Sequence, residues 1–158
     1  MLIKKYSNGC RAVLATKEHA KELAPFLRLK DRLEVNAEQF STCEEALMAG
    51  LNNDDLTITA LDKEGKPFAM FGVGTALDKP YIWLLGSAGV KDNWYVFAKA
   101  SKYLLPFLIT DYPVVSGLVI KEYKISIKWL KWLGAIFIRE VEHNGTPFYE
   151  FIIKNEQY

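Results

Sequence analysis

The sequence predicts one mixed α/β (α+β) domain over residues 1–158, with elements in the order β-α-α-β-β-β-α-β-α-β-β around a central mixed sheet. Three observations predict it. The run Tyr81–Leu85 (YIWLL) is unbroken, apolar and rich in β-favouring residues, and Pro80 and Gly86 bound it, as expected of a central buried strand. Gly86 and Gly89 then break the run ahead of a long helical pattern, which makes a strand–loop–helix crossover. Hairpin signals stand on either side, at Lys63-Glu64-Gly65-Lys66 and at Asn144-Gly145. A chain of 158 residues fits one domain and buries roughly two-thirds of its unfolded surface.

Arg11–Ala15 (RAVLA) reads as a short strand, and Thr16 caps a helix with Ala20, Leu23, Ala24 and Leu27 at helical spacing. Pro25 bends or ends that helix. Leu29–Phe40 is mixed and charged, with the character of a short helix. Ser41 or Thr42 caps the next helix, which carries Ala46, Leu47 and Leu51, and Glu44 and Glu45 suit its positive end. Leu56–Asp62 alternates as a strand and passes through the first hairpin into Pro67–Leu77. Gly72 and Gly74 inside that second strand predict a bulge or a closely approaching backbone. They match the start of G-x-G-x-x-G, but no helix follows, so a dinucleotide site is not read here.

Asp78-Lys79-Pro80 turns into the central strand, where Trp83 and Leu85 share a face. Asp92 or Asn93 caps the helix that runs to about Thr110. Val114–Ile120 is a strand, and Lys124–Leu133 a compact helix stopped by Gly134. Ala135–Glu142 and Phe148–Ile153 are strands joined through His143-Asn144-Gly145-Thr146.

Composition narrows function by exclusion. The chain is 50% hydrophobic and 25% charged with a formal net charge of +1, so no global field draws it to nucleic acid, membranes or acidic substrates. Cys10 and Cys43 form no C-x-x-C pair and read as small apolar thiols in a reducing compartment. Lys4 and Lys5 are followed by Tyr6-Ser7-Asn8-Gly9 and not by an apolar core, so no signal peptide is expected. Lys128 and Lys131 interrupt the longest apolar stretch, so no membrane span is expected either.

The loop after Leu85 carries the first functional expectation. A buried strand that ends in a glycine-bearing loop and feeds a helix N-terminus offers backbone N–H groups and a helix dipole to an anion. The same arrangement is also a common structural crossover.

Tyr81–Leu105, and Ser126–Phe151 with its I-K-W-L-K-W-L-G-A and E-x-x-x-x-G-x-x-F-x-x-F patterns, resemble the GNAT family, the acyl-CoA N-acyltransferases. Within it they resemble a group of tailed-phage proteins with a GNAT-like fold described as internal virion proteins. The order of elements is similar over nearly the whole chain. The resemblance implies a GNAT-like fold, acetyl-CoA as cofactor, no metal, and a location in host cytoplasm or virion interior.

In active members the loop after the fourth strand reads Arg/Gln-x-x-Gly-x-Gly/Ala, and its amides bind the pyrophosphate. An overlay anchored on Val90 and Leu105 puts Tyr95 at the Arg/Gln position, Ala98 at the first glycine and Ala100 at the permitted Gly/Ala. The cofactor-binding set implied is Gly86, Ser87, Val90, Tyr95, Ala98, Ala100 and Ser101, with the cationic or amide side chain gone and one of the three defining positions kept. Lys91 or Lys99 offers charge outside the motif.

The family's tyrosine general acid, placed from Gly134, falls on Leu130, which has no proton to give. Tyr123 falls where the family carries asparagine, and Ser126 at a small residue. Glu122, at the end of the fifth strand, is the nearest carboxylate for a general base. The resemblance therefore implies a phage-type protein with a degenerate acyl-CoA site that acts in the virion or its assembly. The alternative is an active N-acetyltransferase that moves an acetyl group from acetyl-CoA to a primary amine.

The remaining motifs read as structure. Gly86-Ser87-Ala88-Gly89 is not the G-x-S-x-G elbow of a serine hydrolase. His19 and His143 have no ligand spacing for zinc. Lys124, Lys128 and Lys131 form a solvated stripe more readily than a nucleic-acid grip. Apolar residues cover more of that helix than one core-facing stripe needs, with Ile125, Trp129 and Trp132 on one line and Ile127, Leu130 and Leu133 on another. Trp129 or Trp132 is thus a candidate for self-association or for docking a protein partner.

Overall fold

The computed structural model describes residues Met1–Tyr158. It begins with a hairpin of which the sequence reading has only the second arm: β1 (Leu2–Lys5) pairs antiparallel with β2 (Arg11–Leu14). β1 escapes the pattern because Leu2 is exposed and two of its four residues are lysines on an outer strand. Thr16 caps α1 (Lys17–Leu23), accepting from the His19 N–H, while His19 Nδ1 accepts from the Thr16 N–H. His19 is thus a capping residue as well as a helix-face one. Pro25 ends α1 in a short 3₁₀ turn, Ala24–Phe26. Helices α2 (Leu29–Ala37) and α3 (Cys43–Asn53) follow, and it is Thr42, not Ser41, that caps α3.

β3 (Leu56–Leu61), β4 (Pro67–Ala76) and β5 (Lys79–Gly86) form an antiparallel meander. The turn into β5 is Leu77-Asp78, both at positive φ (51° and 62°), and not Asp78-Lys79-Pro80. Lys79 already pairs with Ala76, so the loop is the two-residue kind that matches strand twist. The helix expected from Asn93 to about Thr110 is α5 (Trp94–Leu108), and an extra single turn, α4 (Gly89–Asp92), precedes it. Asn93 sits at the junction but does not cap α5: its Nδ2 donates to Gly89 O. β6 (Val114–Ile120), α6 (Lys124–Trp132), β7 (Ile136–His143) and β8 (Thr146–Lys154) complete the chain, with Asn144 and Gly145 at positive φ in the last hairpin.

All eight strands join one sheet in the order β1-β2-β3-β4-β5-β6-β8-β7, and every pair but β5–β6 is antiparallel. The expected mixed sheet is present, with Tyr81–Gly86 in its interior. Helices α1–α3 cover one face, burying Leu23, Leu47 and Val35 against Met70 and Leu85, with Trp83 packed beside them. Helices α5 and α6 cover the other, where Leu104, Leu108 and Leu130 meet Phe71, Val119 and Phe151. No helix is long and apolar enough to cross a membrane.

The line of residues expected on α6 divides differently. Trp129 turns inward, stacks on Phe97 at 5.6 Å and donates from Nε1 to Ser101 Oγ at 3.0 Å. Ile125 and Trp132 face solvent, 69% and 50% exposed, and the Lys102 ammonium lies 4.3 Å from the Trp132 ring.

Candidate functional site

The sheet parts between β5 and β6. These strands are the one parallel pair, and their register contains a single residue pair, Tyr81 with Ser116. Ser87 N–H donates to Phe68 O on β4, so the odd-numbered amides of β5 face β4 and the even-numbered ones face β6. Past Tyr81, β6 has splayed away, and the Leu84 amide looks into the gap.

A cleft of 120 Å³ opens on the α5–α6 side of that gap, and twenty-four of the thirty residues lining it are hydrophobic. Leu84, Val119, Leu104 and Leu130 are among its walls, with Ser101, Ser126 and Tyr123 as polar points. Burial pushes the Tyr123 phenol up, and the Arg28 guanidinium, 5.2 Å from the ring centre, pulls it down.

A second cleft of 670 Å³ lies on the opposite face and is far more polar. Glu34, Glu38, Asp54, Glu150, Lys79, Arg139 and Tyr81 all reach it. Glu150 is only 5% exposed and is held by Lys79 Nζ at 2.7 Å and Arg139 Nε at 2.6 Å, which lower its pKa. Asp54 accepts from Tyr81 Oη at 2.6 Å, Trp83 Nε1 at 2.7 Å and Thr57 Oγ1 at 2.8 Å. Burial still raises its carboxyl, and burial plus this bond raise the Tyr81 phenol strongly.

Gly72 carries no bulge but explains itself here. A Cβ on it would overlap Asp54 Oδ2 and come within 2.9 Å of Leu56 O. Gly72→Ala is expected to cost about 1–3 kcal/mol of stability by overpacking, read as a lower urea midpoint at unchanged slope. An unchanged midpoint would mean that Asp54 moves aside freely.

The two clefts share walls at Ile82, Trp83, Leu118 and Glu34, so they meet through the gap. Glu34 is half-buried, and its carboxyl makes no hydrogen bond or ion pair. Desolvation drives its carboxyl well above the ordinary value, Glu38 and Asp31 push the same way, and Arg28 opposes them. One turn earlier on α2, Asp31 is 2% exposed and accepts from Arg28 Nε at 2.7 Å and from the Gly86 N–H at 3.0 Å. Arg28 N–H returns a bond to Gly86 O. The start of α2 is thereby tied to the end of β5 where β6 has left it.

No protein-family model and no curated protein matches the sequence. Solved structures do match. A GNAT-family acetyltransferase from Bacillus anthracis superposes with a TM-score of 0.71 at 11% identity over 99% of each chain. A ribosomal-protein-S5-alanine acetyltransferase from Vibrio fischeri gives 0.69 at 13% identity over 100% of this chain and 98% of that one. The chain has the GNAT fold. A GCN5-related N-acetyltransferase from Kribbella flavida, at 0.65 and 13% identity over 94% and 99%, has the same architecture.

Within this GNAT fold the residues singled out by sequence fall in several places. Gly86 ends β5, Ser87 follows it, and Val90 is buried in α4. Five of the amides in and after the loop expected to face an anion are bonded within the chain: Gly86 to Asp31, Ser87 to Phe68 O, Gly89 to Ser87 Oγ, Val90 to Ser87 O and Asn93 to Gly89 O. Tyr95, Ala98, Ala100 and Ser101 lie inside α5, where amides beyond the first turn run to the preceding turn. Tyr95 is exposed, with Lys99 5.0 Å from its ring, while Ala100 and Ser101 line the apolar cleft.

Leu130 is buried in the cleft wall. Glu122 stands in solvent beside Lys30, outside both clefts. Glu34, Asp31 and Arg28 went unnoticed in the sequence. They sit in the mixed, charged stretch of α2, and their one local signal, acidic residues at helical spacing, equally describes a solvated face.

Proposed function

We propose that this chain is an N-acyltransferase that takes an acyl-CoA thioester, acetyl-CoA in the simplest case, into the gap between β5 and β6 and a primary amine from the polar cleft. The observation that carries the reading is Glu34, an unpaired carboxyl of strongly raised pKa where the two clefts meet. The Glu34 and Glu38 carboxyls suit a neutral primary amine, since Lys79 and Arg139 are already engaged by Glu150. In the reaction the amine nitrogen attacks the thioester carbonyl, the C–N bond forms and the C–S bond breaks. Glu34 takes the proton released by the amine, and the Leu84 N–H faces the place where the carbonyl oxygen gains charge. Tyr123, a half-buried phenol at the start of α6, is the proton donor for the departing thiolate, a role Leu130 cannot fill.

A second reading is favoured by one observation, the bonded loop after β5. With those amides engaged and Tyr95 in place of a cation, the pyrophosphate loses its usual cradle. The protein is then a phage-type GNAT-fold component of the virion or its assembly, with a degenerate acyl-CoA site and with Ile125 and Trp132 as docking residues. Thermal melting separates the two readings. Acyl-CoA at a hundredfold excess over its Kd adds about 2.7 kcal/mol to stability, so an upward shift that adenosine does not reproduce supports the enzyme. No shift with any CoA thioester supports the second reading.

A further inference from the structure

The apolar cleft is larger than an acetyl group needs. Its volume is 120 Å³, and core residues such as Leu104, Leu108 and Phe71 are among its walls. It also runs in an unexpected direction. Its lining passes from Leu84 on β5 to Phe71 on β4, Ala60 on β3 and Ala12 on β2. Those strands are consecutive neighbours in the sheet. At about 4.8 Å per strand the lining reaches roughly 14 Å from β5, beneath α5 and away from the amine cleft. Small side chains at Ala12 and Ala60 leave the space, and Leu104 and Leu108 close it from the helix side. A dry cavity of about 150 Å³ lined by Leu, Ile and Phe holds the six carbons of benzene, so 120 Å³ holds about five, those of a hexanoyl chain beyond its carbonyl.

We infer that the acyl group this protein accepts is a medium aliphatic chain of about six carbons, which leaves the thioester at the β5–β6 gap and lies across β4 and β3 beneath α5. The inference rests on the acyl-CoA reading above and adds the identity of the donor. An acetyl group would leave the apolar walls bare. Each methylene placed against them improves binding by about fourfold at most, and ordering of the chain removes part of that gain.

The test is a calorimetric titration of the purified chain with free CoA and with acetyl-, butyryl-, hexanoyl- and octanoyl-CoA. Hexanoyl-CoA is expected to bind at least about tenfold more tightly than acetyl-CoA. In Ala60→Leu, which fills the space over β3, the optimum is expected to move to a shorter chain, and in Leu104→Ala to a longer one. The wild-type series decides even if a variant fails to fold. Equal affinity for acetyl- and hexanoyl-CoA overturns the inference and leaves the acyltransferase reading standing. No binding of any CoA compound overturns that reading, and the donor assignment with it.

Discussion

Glu34→Gln is expected to lower the acyl-transfer rate by about 10²–10⁴-fold, the usual contribution of a positioned general base, and to stabilise the fold at neutral pH. Both effects have one cause. The folded protein holds the Glu34 proton to a pH well above the ordinary value of 4.5. Between those two pH values folding takes up a proton, so stability falls as pH rises from 4.5 through the folded pKa. Below 4.5 the contribution is fully present, and it is lost as the pH rises through the folded pKa. Glutamine has no proton to lose and removes the dependence. In the wild type, activity should rise with pH through the same folded pKa. Melting curves and kcat against pH test both, and a variant with wild-type kcat and an unchanged melting profile would refute the role. A stabilised variant without any measurable parent activity would instead mark Glu34 as a desolvated carboxyl in a non-catalytic protein.

Asp31→Ala is expected to cost about 3 kcal/mol, in the range for breaking a buried charge pair. The Gly86 N–H loses its acceptor, and the Arg28 guanidinium is left beside Tyr123 and Glu34 without a partner. The penalty stays at the low end because burial already raises the Asp31 carboxyl against the pull of Arg28. Asp31→Asn keeps an acceptor for Gly86 and should cost about 1 kcal/mol, one hydrogen bond's worth. Urea unfolding at neutral pH measures both. A loss below about 1 kcal/mol for the alanine variant would mean that α2 does not depend on this tie to β5.

The elements of the fold were legible because their signals are short-range. Tyr81–Leu85 announces an interior strand through its own side chains, although only Leu85 of the five is fully buried, and Thr16 and Thr42 announce helix starts and Asn144-Gly145 its hairpin. Two lysines hid β1, whose pairing with β2 makes it a strand. The loop after Leu85 looked like an anion site by residue type. Its amides turned out to be engaged, because Asp31 and Phe68 arrive from distant elements.

The candidate site divides along the same line. Sequence by itself determined which residue types are available: no cation at Tyr95, no proton at Leu130, an exchangeable one at Tyr123. The tertiary structure alone decided where they meet. It placed Glu122 in solvent and Glu34, from a helix with no apolar period to advertise it, between two clefts. The reason is that a carboxyl acquires a raised pKa from what surrounds it, and the clefts Glu34 lines are walled by β5 and β6 as well as by α2. That environment comes into being only when β6 pairs with β5 at one residue and then departs.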